Sequence, residues 1–136
     1  HMLPIGRGEI RRQGEKIALL SFGSMLTPCL AAAEELNATV VNMRFIKPLD
    51  DELVASLAAN HDLLVTVEEN TIMGGAGSAV AESLYKQKIY TKILQLGLPD
   101  TFIDQGDHAQ MLANCGLDKD GIIDSVNSTL SNGSLL

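Results

Sequence analysis

The 136-residue chain has no tryptophan, only two tyrosines and three phenylalanines, two cysteines, and fewer basic residues (10) than acidic ones (17). The net charge of −7 argues against a nucleic acid or an anionic membrane surface as a partner, since their phosphates demand a basic face. No apolar run approaches the roughly 20 residues of a membrane helix, and a soluble, cytoplasmic domain without a signal peptide is expected. Cys29 and Cys115 stand far apart without metal-type spacing, and both are expected to be reduced. There are no repeats or low-complexity segments. Catalytic sets are missing too. No Gly-x-Ser-x-Gly elbow occurs, and no nucleophile arrangement accompanies His61 or His108, which are expected to be surface histidines. No His, Cys and carboxylate cluster offers a metal site. Ser21-Phe22-Gly23 and Gly97-Leu98-Pro99 stand where a phospho-receiver would need acids and a lysine.

What is present concentrates between residues 63 and 79. A short apolar, β-branched run, Leu63 to Val67, stops at Glu68 and Glu69, and a glycine cluster then opens a small-residue helix at Ala76. This reads as strand, turn and helix, with the two carboxylates at the carboxyl edge of a buried strand, where α/β sheets place their sites. Gly74, Gly75 and Gly77 allow close backbone approach. Two readings stay open: an anion site built from helix-start amides through Ser78, or a tight turn packed against another surface. No Lys or Arg lies in the loop, and its spacing is neither a P-loop nor a dinucleotide fingerprint. Adjacent strand residues face opposite sides, so Glu68 and Glu69 do not pair as acid and base. One is expected to brace the loop and the other to face solvent or a partner.

In chain order, His1-Met2 reads as a tag remnant and residues 1–8 as a leading linker, followed by a domain over 9–130 and a flexible tail over 131–136. Glu9 to Arg12 is a polar, edge-type strand and Gln13-Gly14-Glu15 a turn. Ile17 to Phe22 is a continuous apolar, central strand. Thr27 and Pro28 are expected as N-cap and first residue of an Ala-rich helix reaching Leu36, with Asn37 closing it. Thr39 to Phe45 is the next strand, delivering Arg44 and Lys47 to its carboxyl end. Asp50 caps a short helix that buries Leu53, Leu57 and Ala58. After the glycine turn, a helix from Ala76 to about Lys86 buries Val80, Ala81 and Leu84, and Ile93 to Leu96 is the last strand. Asp107 and Asp118 cap two further helices; Gly116 ends the first, and the second carries Ile122, Ile123, Val126 and Leu130. The alternation predicts an α/β fold with four parallel strands and one edge strand.

Several separate motifs add a family resemblance. Met43-Arg44-Phe45-Ile46-Lys47-Pro48-Leu49-Asp50, Val67-Glu68-Glu69-Asn70 followed by Gly74-Gly75-x-Gly77-Ser78, and Gly97-Leu98-Pro99-Asp100-x-Phe102-Ile103-x-Gln105-Gly106 occur in that order. Leu3 to Gly8 and Gly116-Leu117-Asp118-x-x-Gly121-Ile122 flank them. Together they resemble the C-terminal, third domain of the 1-deoxy-D-xylulose-5-phosphate synthases, within the wider transketolase C-terminal domain family. The resemblance implies a three-layer α/β/α fold with a five-stranded mixed sheet, order 1-3-2-4-5, in which strand 1 is antiparallel. It also implies a homodimeric parent transferase that condenses pyruvate with glyceraldehyde 3-phosphate and releases carbon dioxide, on thiamine diphosphate and magnesium. The product feeds isoprenoid, thiamine and pyridoxal synthesis.

In that family the Gly-Asp-Gly diphosphate motif and the catalytic residues lie upstream. This sequence has no Gly-Asp-Gly; Gly106-Asp107-His108 lacks the second glycine. The chain is therefore expected to bind no cofactor or metal, to be inactive by itself, and to pack on the upstream catalytic domains and support the homodimer. The expected docking face comprises Arg44, Lys47, the glycine turn and the Pro99 to Gly106 loop, where Phe102 and Ile103 would be exposed if nothing covered them. The alternative is a regulatory anionic small-molecule site at the same turn, using Arg44 or Lys47.

Overall fold

The computed structural model describes residues 7–23, 25–44, 49–71, 75–98 and 117–133. Its strands are β1 (Glu9–Arg12), β2 (Ile17–Phe22), β3 (Thr39–Asn42), β4 (Leu63–Thr71) and β5 (Lys92–Leu98), and the helices among the described residues are α1 (Leu26–Leu36), α2 (Asp51–Asn60), α3 (Ala76–Lys86) and α4 (Lys119–Gly133). The five strands form one sheet in the order β1-β3-β2-β4-β5. Only β1 is antiparallel, pairing Glu9 with Asn42 and Ile10 with Val41; the β2–β3, β2–β4 and β4–β5 ladders are parallel.

Burial on both faces explains the continuous apolar run of β2, all six residues of which are buried. Ile17 and Leu19 join Cys29, Ala32 and Ala33 of α1 and Ile122 and Val126 of α4 on one face. Ala18, Leu20 and Phe22 join Val54 and Leu57 of α2 and Val80 and Leu84 of α3 on the other. β1 is polar because it is an edge: its burial pattern is partial or exposed throughout.

The turn after β1 is not a hairpin turn. A Cβ on Gly14 would run into the backbone of Asn37 and Ala38, so glycine lets the chain pass under the end of α1 on its way to β2. Glu15 N–H donates to the Asn37 carbonyl at 3.0 Å there. Asn37 holds the left-handed conformation (φ 52°) that closes α1, as expected of its side chain.

Several local expectations are corrected. α1 starts at Leu26 with Met25 as its uncapped leading residue, so Thr27 is not the N-cap and Pro28 falls third in the helix. That position still lies in the first turn, where a missing N–H breaks no intrahelical bond. β3 ends at Asn42 rather than Phe45, because Arg44 turns to φ 65° and leaves the ladder; β4 runs on to Thr71. On α2, Val54 is buried beside Leu57 while Leu53 and Ala58 are half-buried; on α3 it is Ala76, Gly77 and Ser83 that join Val80 and Leu84, with Ala81 half-buried. Leu130 is 37% exposed, and α4 continues through Gly133, past the point expected to be a flexible tail.

His61 is also not a surface residue. It is buried, with Nδ1 against the Leu57 carbonyl (2.8 Å) and Nε2 against Thr39 Oγ1 (2.7 Å). A carbonyl can only accept, so Nδ1 carries the proton and Thr39 donates to Nε2, while Thr39 itself accepts from Gly14 N–H at 2.8 Å. The chain of bonds ties β1's turn, β3 and the end of α2 together. The expected helix between Asp107 and Gly116, with His108 and Cys115, lies outside the described residues.

Candidate functional site at the carboxyl edge of the sheet

β4 delivers Glu68 to the carboxyl edge, and the chain then has to turn through the glycines into α3. Glu68 pairs with Gly97 and Thr71 with Leu98, so Glu69 and Asn70 are extra residues in β4, a bulge that bends the strand end. Glu68 is only 4% exposed, and among the described residues its two carboxylate oxygens accept from Ala76 N–H, at 3.1 and 3.0 Å. Ala76 is the first residue of α3, whose N-cap Gly75 has no side chain to offer. The carboxylate thus replaces the missing cap from a neighbouring strand, with its charge at the positive end of the helix.

This geometry bears on the anion reading. The leading amide of α3 is already met by a buried carboxylate, and a second anion at that point would be repelled by it. The carboxylate fastens the start of α3 to the end of β4. Gly77 is buried because the Gln95 side chain of β5 lies over it, and a Cβ there would run into that side chain. Ser78 is exposed on α3, and Arg44 is exposed at the end of β3 in a left-handed conformation. Glu69 and Asn70 are placed by their backbone in β4; Lys47, Gly74, Phe102 and Ile103 lie outside the described residues.

Among the described residues, no three His, Cys, Asp or Glu side chains converge to hold a metal ion, and no helix is long and apolar enough to cross a membrane. Cys29 offers no nucleophile. Burial pushes its thiol up to about 12, and the neighbouring Ser21 hydroxyl pulls back less. Ser21 Oγ is itself buried without a hydrogen bond of ordinary geometry.

Sequence reasoning identified Asp50 as a helix cap but missed its second contact. Oδ1 accepts from Leu53 N–H at 3.2 Å, and Oδ2 accepts from Gly8 N–H at 2.9 Å. The glycine before β1 was the available signal, since a Cβ there would stand 2.6 Å from Leu53 Cδ2.

Comparison with known proteins places this edge in a family. The chain is 74% identical over 125 residues to a 1-deoxy-D-xylulose-5-phosphate synthase of Nitrosospira multiformis, covering 92% of this chain and 20% of that protein. It is 70% identical to the enzyme of the same name from Nitrosomonas europaea, covering 95% of this chain and 21% of that one. The chain therefore spans about a fifth of the length of these curated relatives. Among solved structures it is similar to a split-gene transketolase, an inactive β4 tetramer, with a TM-score of 0.86 at 30% identity, covering 95% of this chain and 44% of that one. The sheet order, the antiparallel first strand and a match of residues 6–122 to the family model described as transketolase, C-terminal domain, agree, and the chain belongs to the transketolase C-terminal domain family.

Proposed function

We infer that this chain is the non-catalytic C-terminal domain of a 1-deoxy-D-xylulose-5-phosphate synthase, and that it packs on the preceding catalytic domains and supports the homodimer of the parent. The parent's reaction is the condensation of pyruvate with glyceraldehyde 3-phosphate, with loss of carbon dioxide, on thiamine diphosphate and a divalent ion. The observation that carries the reading is the 74% identity across 92% of this chain to a synthase of which it spans 20%. Identity this high over nearly the whole chain supports common structure and role, and the small share supports a part rather than a whole.

The residues present do not fit the cofactor. A diphosphate with its metal needs converging carboxylate or carbonyl oxygens and free amide donors. Glu68 is committed to Ala76 N–H, no metal-binding cluster lies among the described residues, and the sequence lacks Gly-Asp-Gly. No step of the parent's chemistry is therefore assigned to this chain. The solved neighbour described as an inactive tetramer is in line with a chain of this family that self-associates without turnover.

Topology supports docking at the carboxyl edge. Because β1 is antiparallel, with Glu9 opposite Asn42, the chain arrives from upstream at the same edge that carries Arg44, Glu68 and the start of α3. The anionic-effector alternative gains nothing from the site, since Glu68 already occupies the helix terminus. Calorimetric titration of the 136-residue chain with thiamine diphosphate and magnesium tests the reading. No saturable heat is expected; a saturable heat with thiamine diphosphate and magnesium that is absent with magnesium alone overturns it.

A further inference from the structure

Just before β1, residues that belong to neither strand nor helix are held in place. Gly8 N–H donates to Asp50 Oδ2 while the other oxygen of the same carboxylate caps α2 through Leu53 N–H. Asp50 is 8% exposed, and as bonds to a carboxylate both are charge-assisted. A Cβ on Gly8 would meet Leu53 Cδ2 at 2.6 Å and the Asn42 carbonyl oxygen at 3.4 Å, so the chain lies this close to α2 because the residue is glycine.

Around this clamp is an open cleft of about 460 Å³ lined by Arg7, Gly8, Ile10, Asp50, Glu52 and Leu53. Its apolar part is Leu53, half-buried, and Ile10, 49% exposed on the edge strand. Arg7 and Glu52 form an exposed ion pair at 3.5 Å on its rim. An open cleft of mixed polar and apolar lining is the make-up of an interdomain contact rather than of a small-molecule pocket, which would enclose its ligand.

We propose that this cleft is the seat of the domain immediately preceding this chain in the parent protein, and that Asp50 is the positioning residue that sets the angle at which the two meet. The proposal rests on the functional reading above. The occupant follows from where the missing length must attach. The chain spans 20% of its relative, and the clamp grips the backbone where upstream chain enters, beside the carboxyl end of β3. A single carboxylate thereby ties the backbone at Gly8 to the first turn of α2.

The test compares amide hydrogen exchange in the 136-residue chain and in the full-length parent, each as wild type and as Asp50→Ser. Serine offers one oxygen, enough to cap Leu53 N–H but not to hold Gly8 as well. In the wild type, amides of residues 8–12 and 50–54 are expected to exchange about tenfold or more slowly in the parent than in the chain alone, the factor that a lost charge-assisted hydrogen bond or equivalent cover produces. Asp50→Ser is expected to speed exchange at Gly8 about tenfold, to leave Leu53 protected, and to change the distance between spin labels placed in the two domains. Asp118→Ala removes the α4 cap, in which Asp118 Oδ1 accepts from Gly121 N–H at 2.9 Å, and is the control for general destabilisation; that distance should not move. Equal protection of the cleft in the chain alone and in the parent would mean that the chain's own first residues fill it, and overturns the proposal. So does faster Gly8 exchange at an unchanged distance. If Arg44 and Ala76 gain protection in the parent while the cleft does not, the proposal fails and the functional reading stands; if no segment gains protection, both fail.

Discussion

Glu68 is the residue whose removal should be felt most at the carboxyl edge. In Glu68→Ala the Ala76 N–H loses its acceptor in a buried position, which costs about 1.5–3 kcal/mol for a hydrogen bond to a charged group. Loss of the charge at the helix terminus adds ~0.5–1 kcal/mol, and the removed methylene leaves a small void worth about 1 kcal/mol more. The expected total is ~3–5 kcal/mol, a large share of the ~5–15 kcal/mol that holds a domain together. Glu68→Gln keeps one acceptor oxygen and the side-chain volume but loses the charge, so its cost should be about 1–2 kcal/mol. Urea denaturation reads both, and with a slope near ~2 kcal/mol/M the Ala variant's midpoint should fall by ~1.5–2.5 M. Faster amide exchange in the variants should be confined to the start of α3. A Gln variant more stable than wild type would refute the reasoning, because it would mean that desolvating the carboxylate outweighs its bond and its position at the helix end.

Three other outcomes follow from single contacts. Lys88 closes α3 at φ 60°, with Ile89 N–H donating to the Leu84 carbonyl at 2.9 Å, a place where glycine is unstrained; Lys88→Gly should raise stability by about 0.5–1 kcal/mol, read as an increase in Tm, and a decrease would contradict the strain argument. Thr39→Val should cost about 2–3 kcal/mol in urea unfolding, since it strips Gly14 N–H and His61 Nε2 of their partner at once; a change under ~0.5 kcal/mol would show that the relay carries no weight. The Cys29 thiol, raised from 9.0 to about 12, holds its proton more tightly folded than unfolded, so stability is indifferent to it below pH 9 and falls as pH rises from 9 toward 12. Wild type minus Cys29→Ala should show that alkaline loss, and a pH-independent difference would refute it.

The strand and helix sequence and the two-sided core were legible because local periodicity reports burial: the unbroken run Ile17 to Phe22 reads as a strand covered on both faces. Strand order was not legible from local chemistry. Gln13-Gly14-Glu15 has the composition of a hairpin turn, yet Gly14 serves an approach to Asn37 and Ala38, and β1 pairs with β3; it was the family resemblance that implied this order. The start of α1 was misread because Thr-Pro is a strong local signal, whereas Met25 leads the helix through its burial in the core rather than through a side-chain cap. His61 was misread because a lone histidine carries no sequence mark of the threonine 22 positions away that completes its bonds. At the edge itself, two adjacent glutamates before glycines announced a braced turn. That Glu68 would be the brace depended on the bulge after it, which only strand pairing reveals.

The central claim is that this chain is a docking and assembly domain of a thiamine-dependent synthase and does no chemistry itself. Its most direct test measures turnover of pyruvate with glyceraldehyde 3-phosphate, together with sedimentation, for the full-length parent and for the parent ending just before Arg7. The intact chain should be an active dimer, and the shortened one should lose dimerisation and with it most of its turnover, while the 136-residue chain alone shows none. A shortened parent that stays dimeric and fully active would contradict the account.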